Sequence, residues 1–190
     1  MTATIATPPL QPLILCADDF ALTLATAKVI ADLAAAGRLS AIACMAGMAD
    51  WRPSAPLLEP LVERVDIGLH LTLTGEAPLT AMPRLAGDGR LPAINALIRA
   101  SRRGELPLDE IEREIDAQFA RFRAATGRRP DFVDGHQHFH ALPDLREIVL
   151  AATAHHAPQA WLRNCEDRPA AVLRRLAAIP AHPGGASERL

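Results

Sequence analysis

Short apolar runs alternate with amphipathic segments along most of this chain, and that alternation limits its fold more than any other feature. Leu13 to Ala17, Ala41 to Met45, Val65 to Leu73, Phe132-Val133 and Trp161 to Arg163 read as strands. The first two are unbroken apolar runs, the pattern of strands buried on both faces. Helical patterns lie between them, at Leu24 to Ala36, Ser54 to Arg64 (helix or turn), Leu145 to His155 and Ala170 to Ala178. The firmest is Leu108 to Phe122, where apolar residues recur at steps of three and four, acids fill the first turn and Gly127 follows the last. This repetition predicts an α/β protein built on a parallel sheet or barrel. Thr74 to Pro92 has little periodicity and several Pro and Gly, and reads as a long connection of the kind that carries function. Residues 1–12 read as a disordered tail, 13–179 as a single domain and 180–190 as a disordered end.

At 190 residues, 49% apolar and net charge −2, the chain can bury a real core and presents no charge pattern suited to nucleic acid or a membrane surface. Residues 1–12 carry no Lys or Arg, and no apolar run approaches ~18 residues, so neither a signal peptide nor a membrane span is expected and a cytoplasmic location is. Cys16, Cys44 and Cys165 are far apart in apolar settings and read as buried reduced thiols.

Three of the strand-like runs end in residues that bind cations or move protons. Asp18-Asp19 follows the first, His70 lies in the third, and Asp134-Gly135-His136-Gln137-His138-Phe139-His140 follows the fourth. In parallel α/β folds the carboxyl ends of strands share one face, so these residues converge. Two imidazoles and a carboxylate with open positions describe a hydrolytic metal centre. They also describe a non-haem iron oxygenase triad, which has no use for a second adjacent carboxylate. The pair makes sense when Asp19 binds the metal and Asp18 takes the proton of the attacking water.

These pieces together resemble the YdjC-like carbohydrate deacetylases of the ChbG/HpnK type. The resemblance rests on Ala17-Asp18-Asp19-Phe20, Gly68 to Thr74, Thr80-Ala81-Met82-Pro83 with Asp88-Gly89 after it, and Asp134 to His140. It runs from Leu13 to about Arg163. It implies a NodB-like distorted (β/α) barrel, incomplete here on its C-terminal side because family members continue with further strands. It also implies hydrolysis of an N-acetyl group from an amino sugar, either chitooligosaccharide-like or lipid-linked, with a divalent metal, Mg2+ first and Zn2+ second. Carried over by position, Asp19, His70 and His136 resemble the metal ligands, Asp18 the catalytic base, and His138 and His140 the pocket histidines from which the general acid would come. His182, in Ala181-His182-Pro183-Gly184, echoes a late family motif. Ala21 stands where the family commonly has Gly. The shortened chain leaves a second reading open, a non-catalytic metal- or sugar-binding remnant, and its unpaired sheet edge suggests self-association into a homo-oligomer.

Overall fold

The computed structural model describes residues 13–165. Five strands, β1 (Cys16–Phe20), β2 (Ala41–Cys44), β3 (Asp66–Leu71), β4 (Phe132–Gly135) and β5 (Trp161–Leu162), form one sheet in the order 1-2-3-4-5, every pair parallel. Right-handed crossovers in an order that never reverses place all the connecting helices on one face, and the sheet curls around the other. The helices are α1 (Leu24–Ala35), the four-residue α2 (Trp51–Ser54), which runs into a 3₁₀ turn at Ala55–Leu61, then α3 (Ile94–Arg103), α4 (Leu108–Thr126) and α5 (Pro143–His156).

Side-chain alternation separates the two faces. Ala17, Ile42, Cys44, Ile67, Leu69, Leu71, Val133 and Leu162 point to the helices and share a core with Ile30, Ile111, Ile115, Phe119, Phe122 and Val149. The concave face is layered. Its lower layer is Cys16, Ala41, Ala43, Phe132 and Trp161, with Phe132 stacked on Trp161 at 4.3 Å between centroids. Gly68 belongs to the same layer, because a Cβ there would fall on the Phe132 ring. Gly68→Ala is expected to cost about 1–3 kcal/mol of stability through overpacking, read from urea unfolding, and an unchanged midpoint would refute the layering.

Three expectations change. The strand at the amino end begins at Cys16, and Leu13, Ile14 and Leu15 are 84%, 56% and 54% exposed, because β1 is a sheet edge bonded only to β2 among the described residues. Leu13–Leu15 therefore has no second face to bury. The stretch after the long connection forms α3, which the sequence reading passed over. The helix is amphipathic, with Leu97 buried and Ile94 and Ala100 packed against the core, but its apolar stripe is only about three turns long and follows directly on the irregular connection. Cys44 is buried as expected, but Cys16, on the edge strand, is only half-buried and Cys165 is exposed. The expected helix Ala170 to Ala178, His182, and the two ends assigned as tails lie outside the described residues.

The sheet does not close among the described residues. It curls far enough, though, for the residue after β5 to reach β1, leaving a cleft of about 510 Å³ lined by Ile14, Leu15, Cys16, Asp18, Trp161 and Arg163 among others. No helix of the described chain is long and apolar enough to cross a membrane.

Candidate metal centre

Adjacent residues of a regular strand point to opposite faces, so Asp18 and Asp19 could not both face the concave side without a break in β1. The break is a register shift against β2 between Ala17 and Phe20, with Asp19 in the left-handed region at φ 61°. Asp is among the few side chains that tolerate that region. The shift sends Phe20 into the helix-side core and leaves both carboxylates on the concave face. Ala21 follows at φ 73°, a backbone that favours glycine.

Asp19 Oδ1 lies 3.0 Å from His136 Nδ1 and 3.3 Å from His70 Nε2. One ligand atom from each of the three residues falls within 4.8 Å of the others, the span of a single cation. Behind them His70 Nδ1 donates to Asp134 Oδ1 at 2.6 Å, and that carboxylate is fully buried. The hydrogen bond fixes the tautomer in which Nε2 faces the cluster, the support a metal-binding imidazole needs.

Hydrogen bonds from His136, then from His70, hold the Asp19 carboxyl well below the usual carboxylate range. Burial works against charge on His70, but the bonds to Asp134 and Asp19 outweigh it and raise its pKa to about 9. In the cation-free protein that raised value contributes stability fully present below the ordinary pKa near 6.5 and lost as pH rises through about 9. A cation needs the Nε2 lone pair, so metal affinity is expected to climb over the same window. Asp134→Asn should lower affinity for Zn2+ or Mn2+ by about 10–100-fold in a calorimetric titration. Affinity within twofold of wild type would remove Asp134 from that role.

Asp18 is held separately. Arg163 donates from Nη1 to its Oδ2 and from Nη2 to its Oδ1, both at 2.8 Å, and the same Nη1 lies 3.0 Å from Asp134 Oδ2. Burial alone would raise the Asp18 carboxyl, and the Arg163 hydrogen bonds overcome it to give a net lowering. The guanidinium thus sits between Asp18 and the carboxylate that orients His70.

The turn carrying the remaining histidines has two successive left-handed residues, Gln137 (φ 54°) and His138 (φ 59°). It starts from Gly135, where a Cβ would stand 2.8 Å from His140 Nδ1 and 2.9 Å from the Phe139 ring. His140 is buried, which lowers its pKa, and its Nε2 lies 3.1 Å from the Arg163 carbonyl oxygen, to which it donates when neutral. His138 is exposed, with Nδ1 3.3 Å from Cys165 Sγ. The structure therefore gathers Asp18, Asp19, His70 and His136, adds Asp134 and Arg163, and sets His138 and His140 beside the end of β5. Sequence reasoning gave neither Asp134 nor Arg163 a role. The histidine stretch drew attention to Asp134 as a carboxylate at a strand end, whereas nothing local marked Arg163.

Curled parallel sheet, bulged Asp pair and two facing imidazoles define a parallel α/β protein with a candidate cation site at its strand ends. The chain belongs to the YdjC-like protein family, whose sequence profile matches residues 12–188. A chitooligosaccharide deacetylase of Yersinia pestis (strain Pestoides F) is 36% identical over 140 residues, 73% of this chain and 54% of that protein. One from Enterobacter sp. (strain 638) is 34% identical over 142 residues, 75% of this chain and 55% of that protein. The chain spans about half the length of these relatives. A crystal structure from Enterococcus faecalis V583, provisionally described as a cellobiose-phosphate cleavage protein, superimposes with a TM-score of 0.70 at 24% identity. It covers 83% of this chain and 60% of its own, which supports the fold alone.

Proposed function

We propose that this protein removes the acetyl group from an N-acetylated amino sugar by hydrolysis, with a divalent cation held by Asp19, His70 and His136. The observation that carries the reading is the bulge in β1, which turns two consecutive carboxylates to one face and gives them different partners, imidazoles for Asp19 and a guanidinium for Asp18. The deacetylases among the relatives support the substrate class.

The donor set fits a cation. One carboxylate and two imidazoles suit Zn2+ or Mn2+ better than Mg2+, which prefers oxygen ligands and is favoured here by family resemblance alone. When bound, the cation supplies Lewis-acid polarisation of the acetyl carbonyl and a water of lowered pKa. Asp18, ionised at neutral pH and fixed by Arg163, takes the proton of the attacking water. Asp134 keeps His70 oriented throughout. His140 already donates its Nε2 proton to a carbonyl, so the exposed His138 is the better donor to the leaving amine.

The test is acetate release from N-acetylglucosamine oligomers by the purified chain, with and without chelator. Turnover abolished by chelator and restored by added cation is the expected result. Folded, metal-loaded protein that releases no acetate would overturn the enzyme reading in favour of a binding remnant.

A further inference from the structure

The chain leaves the sheet two residues after His70 and rejoins it only at β4, and residues 72–93, ahead of α3 and α4, contain neither helix nor strand. Ordering such a stretch costs backbone conformational entropy at every residue, so something specific must hold it. What holds it is one stripe of α4. Glu110, Glu114 and Gln118, spaced four residues apart, are each 1% exposed and turned toward this segment.

Every polar atom on that stripe has a partner in the segment or on its own neighbour. Gln118 pairs with both backbone groups of Thr72, accepting from its N–H at 2.9 Å and donating to its carbonyl at 2.8 Å. Glu114 accepts from Leu79 N at 3.1 Å, Thr80 N at 2.8 Å, Thr80 Oγ1 at 2.9 Å and Gln118 Nε2 at 2.8 Å. Glu110 accepts from Arg84 N, Arg84 Nε and Leu85 N. Glu114 accepts these four bonds from neutral donors only. A buried carboxylate without a cation is a poor source of stability, and apolar residues would serve better there. Its gain is geometric, since four donors must meet two oxygens and only one backbone path satisfies them.

The segment also reaches the site. It begins directly after β3, two residues from His70, and it ends in α3, which packs on the turn that carries His136 and His138. Facing outward are Ala81, Pro83, Asp88 and Arg90. The geometry points to Glu114 as a positioning residue that holds residues 74–92 as a wall beside the metal centre, against which the sugar units beyond the reacting one rest. The oligosaccharide class in this inference rests on the deacetylase reading. The clamp itself does not.

The experiment compares the full chain with Glu114→Gln and, as a milder change that keeps side-chain shape, Thr80→Val. Binding of N-acetylglucosamine and of its tetramer is measured by calorimetry at a chelator concentration that stops turnover. Kinetics of acetate release are measured alongside. Tetramer binding should weaken at least tenfold in Glu114→Gln and less in Thr80→Val, with monomer binding within twofold of wild type. KM for the tetramer should rise with kcat little changed, and trypsin should cut faster after Arg84 and Arg90. A variant that was merely unstable would lose active fraction, lowering kcat equally for every substrate length. Equal loss for monomer and tetramer, unchanged tetramer binding, or a wild-type chain that does not prefer the tetramer would each overturn the inference. A wild type that selects the tetramer yet releases no acetate in the cation-replete assay defeats the deacetylase reading, while the same binding comparison still decides the role of Glu114.

Discussion

Asp18→Asn is expected to lower kcat for acetate release by roughly 10²–10⁴-fold while leaving cation binding intact. The asymmetry follows from which carboxylate touches what. Asp19 Oδ1 meets both imidazoles, whereas Asp18 has both oxygens on Arg163. An amide at position 18 keeps the size of the side chain and one oxygen for the guanidinium, but it cannot accept a proton at neutral pH. Steady-state acetate release together with metal stoichiometry separates this from Asp19→Asn, which should lose the cation and the activity together. A residual rate within tenfold of wild type would mean that another group is the base, and the half-exposed, Arg163-bonded Asp18 would then be structural.

How far the site could be read from the chain depended on how local each signal was. Asp18-Asp19 and His136 stood out because they follow apolar runs and His70 because it interrupts one near its carboxyl end, and parallel topology carries such positions to one face. The bulge was not legible. Leu13 to Ala17 looks like the buried strand, yet the strand runs from Cys16 to Phe20 with the aspartates inside it. A rule of simple alternation would have put Asp18 and Asp19 on opposite faces. Asp134 lay within the histidine stretch, but its bond to His70 needs the register in which β3 and β4 place His70 opposite Asp134. Arg163 was hidden most completely. It follows a two-residue strand, and its partners lie on β1 and β4, so its role exists only once the sheet has curled. The Glu110, Glu114, Gln118 stripe was hidden by the very helix that was easiest to read. In an amphipathic pattern these residues look like a solvated face, and the segment that buries them has no periodicity of its own.

Arg163→Met should therefore be the most damaging change outside the ligands, with an effect that differs in kind from loss of the base. Removing the guanidinium leaves Asp134 buried with only the His70 hydrogen bond and leaves Asp18 beside it with no cation of its own. Breaking a buried ion pair from one side costs about 3–5 kcal/mol, and the half-open setting of Arg163 and Asp18 places this case at the lower end. Urea unfolding at pH 7 measures that loss. The sign of the pH effect is fixed by the same contacts. Arg163 is the main influence lowering the Asp18 pKa, so in the native protein its contribution to stability is present above the ordinary carboxylate pKa and disappears as pH falls through the depressed one. Without Arg163, burial acts unopposed by those bonds and the Asp18 pKa rises. The acid limb of kcat/KM should then move to higher pH. Arg163→Lys restores a charge but not the two-pronged contact, so it should recover part of the stability and part of the shift. An acid limb that stays in place in Arg163→Met, with activity lost only in proportion to unfolded protein, would show that the arginine braces the sheet and does not tune the carboxylate.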